Sequence, residues 1–217
     1  MQTMTNVFHK GIIAALLLMG ISTPVQQAAL AQTARGSAAA TQSASQLVLS
    51  VDAGHSAVHW TLDSSVHTVH GTFRVKRGVV SFDSATGKAS GEIVVDAASG
   101  ESGNDSRDRK MHDEVLESGK YADVIFQPQR VEGTVNAGGN STLTVYGIFS
   151  LHGADHAFSA PVLVELKDTA WKASTSFGVP FLEWGLKNPS NFLLKVKPVV
   201  NVSVELSGSL QRSARQP

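Results

Sequence analysis

The chain has 217 residues, no cysteine and a formal net charge of zero at pH 7. The missing cysteine excludes disulfides and a lipid anchor on cysteine, so an exported form would depend on its apolar core. Because there is no basic run and no positive excess, the composition does not favour a nucleic-acid partner.

The first 31 residues have the pattern of a secretory signal. Lys10 is their single Lys or Arg, and the apolar run from Ile12 to Ile21 is too short to span a bilayer. The triplet that ends at Ala31 matches the Ala-x-Ala cleavage pattern. We therefore expect cleavage after Ala31, no stable membrane anchor in the mature protein, and a periplasmic or secreted location.

Composition then divides the rest of the chain into three parts. Residues 32–46 are rich in Ala, Gln, Ser and Thr, which predicts a disordered linker. Residues 211–217 have the composition of a disordered tail. Residues 47–210 remain as one domain, long enough to bury a sizeable core.

Apolar residues alternate with polar ones through most of this domain. Such alternation with a period of two gives each strand one buried and one wet face, which is typical of antiparallel sheets. It predicts an all-β fold, either a sandwich or a closed barrel. The alternating positions are Val58, Trp60 and Leu62; Gly71, Phe73 and Val75; Val80 and Phe82; Ile93 and Val95; Val124 and Phe126; Leu143 to Leu151; Phe158 to Leu166; Trp171 to Val179; and Val200 to Leu206.

The segment from Gly103 to Phe126 interrupts this alternation. It contains a polar stretch, then a short run with helical character, and it returns to a strand pattern at its end. We expect the chain's single substantial helix inside residues 105–118, with Asp105 as its N-cap and Gly119 at its end.

Six short motifs in this order resemble the YceI-like family of lipid-binding proteins, over about Leu47 to Gly208. They are Asp52 to Trp60, Val69 to Phe73, Phe82-Asp83, Asp96 to Ser99 with Asn104, Arg107 and Asp108, Tyr146 to Gly153, and Trp184 to Pro189. Ala122 departs from the pattern, because the family usually has Pro there, and Phe149-Ser150 replaces the usual Leu-Thr.

The resemblance implies a lipocalin-like antiparallel β-barrel of eight or slightly more strands, with one short helix near its mouth. It also implies a bacterial protein that stores or transports a polyisoprenoid, an isoprenoid quinone or a fatty amide. Barrel geometry is consistent with this, since about eight strands leave room for one small ligand. The lipid would be a ligand, and no cofactor is expected. The sequence leaves the oligomeric state open, a homodimer among the options.

Aromatic residues at inward positions are the candidate apolar contacts for such a ligand, with a filled barrel core as the alternative reading. They are Trp60, Phe73, Phe82, Phe126, Phe149, Phe158 and Phe177. Gly71 and Gly147 also fall at inward positions, where they would leave room for a ligand or mark bends. On the helix, Met111 and Leu116 would face the mouth or pack against the sheet.

Arg107 and His112 are the candidate contacts for a polar head group, with Asn104 nearby. Alternatively, Arg107 and Asp108 tie the loop to the barrel through an ion pair, a role that is favoured for Asp108. An isoprenoid-processing enzyme that uses Arg107, Asp108 and His112, or an adhesion module that uses the outer face, are the competing functions. No catalytic motif is present, and the histidines lack the spacing of a metal site, so we expect no enzyme activity and no metal.

Overall fold

The structure, a computed structural model, describes residues 45–136, 138–190 and 195–214. The predicted signal segment, its cleavage site and all but the last two residues of the predicted linker lie outside the described residues. The strands are β1 (Ser45–Val51), β2 (Ala57–Asp63), β3 (Thr68–Asp83), β4 (Ala89–Glu101), β5 (Asp123–Glu132), β6 (Gly139–Leu151), β7 (Ala154–Lys167), β8 (Ala170–Val179) and β9 (Val200–Ala214). The helix α1 spans Asp105–Lys110 and continues in a π-helical turn, Met111–Val115.

Pairing between β3 and β4 closes the sheet into a barrel. The order around the wall is β2, β9, β8, β7, β6, β5, β4 and β3, and all neighbours are antiparallel. β1 pairs with one half of β3 and of β9, while β2 pairs with the other halves. β1 and β2 therefore share one wall position, interrupted by the 3-10 turn Ala53–His55. The predicted antiparallel barrel with one short helix is confirmed.

The connections make the two ends of the barrel different. The β3–β4, β5–β6 and β7–β8 turns lie at one end, which we call the hairpin end. The β2–β3 turn, α1, the β6–β7 turn and the described residues of the long β8–β9 connector (180–190 and 195–199) lie at the other, which we call the helix end. A buried cluster that includes Leu47, Phe82 and Trp171 lies at the hairpin end. The Trp171 indole N–H donates to the Ser209 carbonyl at 3.1 Å, so the polar atom of this buried side chain has a hydrogen-bond partner.

The barrel is longer at both termini than the predicted domain of residues 47–210. β1 begins at Ser45 and β9 runs to Ala214, and these two residues are paired in the ladder. Residues 211–214, expected in a disordered tail, are therefore strand. The apolar alternation that marks the other strands is missing from these residues, so their sequence did not indicate a strand. Backbone pairing with β1 holds them in place at the rim.

The helix lies inside the predicted range, but both of its predicted ends are wrong. Asn104 is the N-cap, and its side-chain oxygen accepts from the Arg107 backbone N–H at 3.0 Å. Asp105 is the first helical residue instead. At the other end Glu117 takes the left-handed conformation, with φ of 44°, so the chain has already turned before Gly119.

Gly71 and Gly147 make room for neighbouring aromatic rings and not for a ligand. Gly71 pairs directly with Trp60, and a Cβ at Gly71 would lie within 3.0 Å of the indole ring. At Gly147 a Cβ would meet the Phe126 ring at 2.9 Å. Each glycine thus lets a ring from the adjacent strand lie flat against the wall, which is a different role from the two that the sequence suggested.

We predict that Gly71→Ala lowers the free energy of unfolding by about 2 kcal/mol, because the new methyl group overpacks against the Trp60 ring. Gly119→Ala is the matched control, since nothing lies within 4 Å of a Cβ there. Chemical unfolding of both variants checks this. Equal stability of Gly71→Ala and the wild type would contradict the packing.

Candidate functional site

A cavity of about 650 Å³ occupies the barrel interior. This volume is in the range of pockets that hold small ligands. Its wall is almost entirely apolar, because the alternating strands all direct their apolar faces inward. Of the eleven residues predicted as ligand contacts, ten line the cavity: Trp60, Phe73, Phe82, Arg107, Met111, Leu116, Phe126, Phe149, Phe158 and Phe177.

Four phenylalanines form a continuous group on β5–β8, which we call the aromatic wall: Phe126, Phe149, Phe158 and Phe177. The Phe158 ring lies at its centre, with centroids 5.9 Å from Phe126, 5.5 Å from Phe149 and 4.7 Å from Phe177. All four side chains point inward yet are half-buried rather than buried. Inward phenylalanines in a filled core would be buried, so the aromatic wall borders open space.

The wall between β7 and β8 depends on side chains for part of its length. Their ladder covers only Leu163–Lys167 and Ala170–Ser174. Beyond it, the Thr175 hydroxyl donates to the Pro161 carbonyl at 2.7 Å, and the rings of Phe158 and Phe177 fill the gap. The cavity is therefore enclosed here by aromatic packing more than by backbone pairing.

Trp184, on the β8–β9 connector, extends the aromatic wall at the helix end. Its ring stacks on the His156 ring, with centroids 4.1 Å apart and planes within 4°, and lies 5.4 Å from the Phe149 ring. Leu186 and Phe181 of the same connector are buried and line the cavity, whereas Trp184 supports Phe149 without lining the cavity itself. Sequence reasoning missed Phe181 and Leu186 as lining residues, because they follow no strand alternation.

Polar lining residues gather mostly at the helix end. α1 and its N-cap supply Asn104, Ser106, Arg107 and Lys110. The β2–β3 turn supplies Ser64 and His67, and backbone bonds between this turn and residues 195–197 hold it there. Among the described residues that line the cavity there is no Asp or Glu. The helix end is thus the polar, cationic mouth of an apolar cavity.

Arg107 uses two of its three guanidinium nitrogens to bind the loop before α1. Its Nε donates to the Ser102 hydroxyl at 2.7 Å, and its Nη2 donates to the Ser102 carbonyl at 2.9 Å. Asp108 accepts from the Ser102 backbone N–H at 3.1 Å and from the Ser102 hydroxyl. Both side chains therefore hold Ser102, which agrees with the structural role expected for Asp108.

The pKa of Asp108 reflects the same contacts. Burial raises the pKa of this carboxyl, but the two hydrogen bonds from Ser102 and the charge of Arg107 outweigh burial and hold the pKa below its ordinary 3.8. A carboxyl with a depressed folded pKa stabilises the fold above its unfolded pKa, and this contribution disappears as the pH falls through the folded value.

We expect Asp108→Asn to lower the free energy of unfolding at neutral pH by about 1 kcal/mol. The difference from the wild type should shrink once the pH falls below 3.8. Unfolding curves measured from neutral pH into the acid range check this. Asp113→Asn, which alters an exposed carboxylate in the π-helical turn after α1, is the control and should leave the free energy of unfolding close to that of the wild type. A pH-independent deficit in Asp108→Asn would contradict the assignment.

His112 is the predicted contact that does not line the cavity. Its Nε2 lies 2.8 Å from the Gly100 carbonyl oxygen and its Nδ1 lies 3.1 Å from the Ser118 hydroxyl. At 100° per residue, a position five after Arg107 lies about 140° around the helix and faces away. Lys110, three residues after Arg107, lies on the mouth side instead. The angle around the helix, rather than the distance along the chain, is the signal that identifies Lys110.

α1 is also tied to the β8–β9 connector. The Lys110 ammonium donates to the Pro189 carbonyl at 3.2 Å, and Lys187 forms an ion pair with Glu114 at 2.9 Å.

In the part of the chain that the structure describes, no helix is long and apolar enough to cross a membrane. Within the same ranges, no three His, Cys, Asp or Glu side chains are grouped closely enough to hold a metal ion.

A family model described as the YceI-like domain matches residues 49–208, well over half of the chain. The chain belongs to the YceI-like family. This agrees with the motifs recognised in the sequence. Comparison with curated proteins found no match.

Three solved structures share the fold at low sequence identity. BcnA of Burkholderia cenocepacia has a TM-score of 0.59 and 15% identity, over 73% of this chain and 99% of that one. A polyisoprenoid-binding domain from Saccharophagus degradans, implicated in plant cell wall breakdown, has a TM-score of 0.55 and 17% identity, over 77% of this chain and 98% of that one. The YCEI protein of Campylobacter jejuni has a TM-score of 0.53 and 16% identity, over 67% of this chain and 86% of that one. At these identities the likeness shows the fold alone.

Proposed function

We propose that this YceI-like protein binds a long-chain amphiphile, such as a polyisoprenoid, an isoprenoid quinone or a fatty amide, with the tail in the barrel cavity. The observation that carries the proposal is the open, apolar interior of about 650 Å³ bordered by the aromatic wall. Each methylene that such a tail buries contributes about 0.8 kcal/mol, so the tail alone provides substantial affinity. The polyisoprenoid-binding domain among its structural neighbours supports the same ligand class.

Storage or transport outside the cytoplasm is part of this proposal. The signal-like N-terminus supports export to the periplasm or the medium. An apolar tail dissolves poorly in water, so a carrier that encloses it is useful in such a compartment.

The enzyme alternative receives no support from the site. Arg107 and Asp108 are engaged with Ser102, and His112 is engaged with Gly100 and Ser118. A catalytic acid or base needs to reach a bound substrate, and the imidazole of His112 lies outside the cavity. The adhesion alternative is no stronger, because the exposed large apolar residues of the described chain are scattered over different elements.

We predict that filling the cavity abolishes lipid retention. Ala160 is buried on β7 and lines the cavity, so Ala160→Trp places an indole where the tail would lie. Ala157 is exposed on the other face of the same strand, which makes Ala157→Trp the matched control. The measurement is the amount of lipid extracted per mole of purified, folded protein.

The expected result is near-complete loss in Ala160→Trp and wild-type content in Ala157→Trp. Circular dichroism and size-exclusion chromatography establish that both variants are folded. Folded Ala160→Trp with wild-type lipid content would contradict a tail in the cavity.

A further inference from the structure

The charges around the cavity differ from those of the molecule as a whole. The chain carries 18 basic and 18 acidic residues, yet the described residues that line the cavity include two cations, Arg107 and Lys110, and no acid. Both cations are half-buried and both lie at the mouth, on α1. The rest of the lining is apolar apart from a few neutral side chains and His67.

Both cations keep hydrogen-bond donors free for a ligand. Lys110 has three N–H donors, of which one points to the Pro189 carbonyl. Arg107 uses Nε and Nη2 on Ser102, while its Nη1 has no partner among the described residues. The Ser106 hydroxyl, on the same helix, lines the mouth beside them.

The nearby acids are engaged elsewhere. Glu114 forms its ion pair with Lys187, and that hydrogen bond lowers the pKa of Glu114 most, with a further contribution from the charge of Lys110. Asp63 of the β2–β3 hairpin pairs with Lys197 at 2.9 Å, and Asp108 is held by Ser102. In the described part of the chain no carboxylate lies within 4.0 Å of the Lys110 ammonium.

A ligand with a neutral head would leave the free N–H donors of both cations without an ionised acceptor at the mouth of the apolar cavity. An anionic head would instead accept charge-assisted hydrogen bonds from both, and such bonds are about twice as strong as neutral ones. The tail and the head would then occupy the two chemically distinct parts of one site.

We propose that the amphiphile carries an anionic head group, a phosphate monoester or a carboxylate, that Lys110 and the free Nη1 of Arg107 bind at the mouth. The inference rests on the proposed function, because it assumes a tail in the cavity. Lys110 determines head-group specificity, and the aromatic wall contributes affinity that is independent of the head.

The test compares three ligands with one tail: geranylgeranyl phosphate, geranylgeranoic acid and the neutral geranylgeraniol. Their dissociation constants are measured on delipidated protein in the wild type, Lys110→Met and Lys110→Arg. Lys172→Met is the control, because it removes the same charge from an exposed position that does not line the cavity.

In the wild type an anionic ligand should bind more tightly than the alcohol, and added salt should reduce that difference. Lys110→Met should weaken the preferred anion about tenfold and the alcohol less than twofold. Lys110→Arg should retain most of the preference, and Lys172→Met should match the wild type. Tighter binding of the phosphate than of the acid identifies a phosphate head, and the reverse identifies a carboxylate.

Equal weakening of all three ligands in Lys110→Met would overturn the inference, since Lys110 would then act only through its bond to Pro189. Unchanged binding of the anions would overturn it as well. If the wild type prefers the alcohol, the anionic head is refuted while the proposed function stands. If no ligand binds the wild type, the proposed function fails and the inference fails with it.

Discussion

The pairing of β3 with β4 is the constraint on which the rest of the structure depends. It converts an open sheet into a closed wall, and only a closed wall gives the inward faces of eight strands one shared interior. The number of strands sets the width of that interior, and with eight strands the side chains need not fill it completely. The buried cluster lies at the hairpin end, and the cavity extends from its inner side chains, Phe82 and Trp171 among them, to the helix end.

The two ends of the barrel therefore have different tasks. Tight turns and the indole of Trp171 close the hairpin end. At the helix end, α1 and the β8–β9 connector replace tight turns, and they bring polar side chains to the rim of an apolar space. Contacts such as Lys110 to Pro189 and Trp184 to His156 hold these two segments in position. An amphiphile has the same division into apolar and polar parts.

Much of this architecture was predictable from the sequence, because period-two alternation records which side chains face inward. The aromatic wall follows from that alternation, and so does the position of the helix, where the alternation stops. Whether the aromatic rings border space or fill it was not predictable, since that depends on the interior volume of the closed barrel. Likewise, Gly71 accommodates the Trp60 ring only because the register places them opposite each other.

The errors at the helix end have separate physical causes. Helix termini depend on which backbone groups are capped, so Asn104 and Asp105 were not distinguishable from residue type alone. Lys110 lies three residues after Arg107, on the same side of the helix, whereas the His112 side chain turns toward Gly100 and Ser118, and closeness to Arg107 in sequence does not separate the two. Trp184 lies in a segment with no strand or helix period, and its stacking on His156 is a tertiary contact between elements distant in sequence.

Native mass spectrometry of the purified protein, followed by mass spectrometry of its lipid extract, tests the central claim most directly. A barrel that encloses an apolar tail should retain one long-chain amphiphile through a detergent-free purification and release it only on denaturation. The native mass should then exceed the polypeptide mass by the mass of the extracted lipid. Protein that purifies at its polypeptide mass, and that takes up no amphiphile when incubated with polyisoprenoid, quinone or fatty amide, would contradict the account.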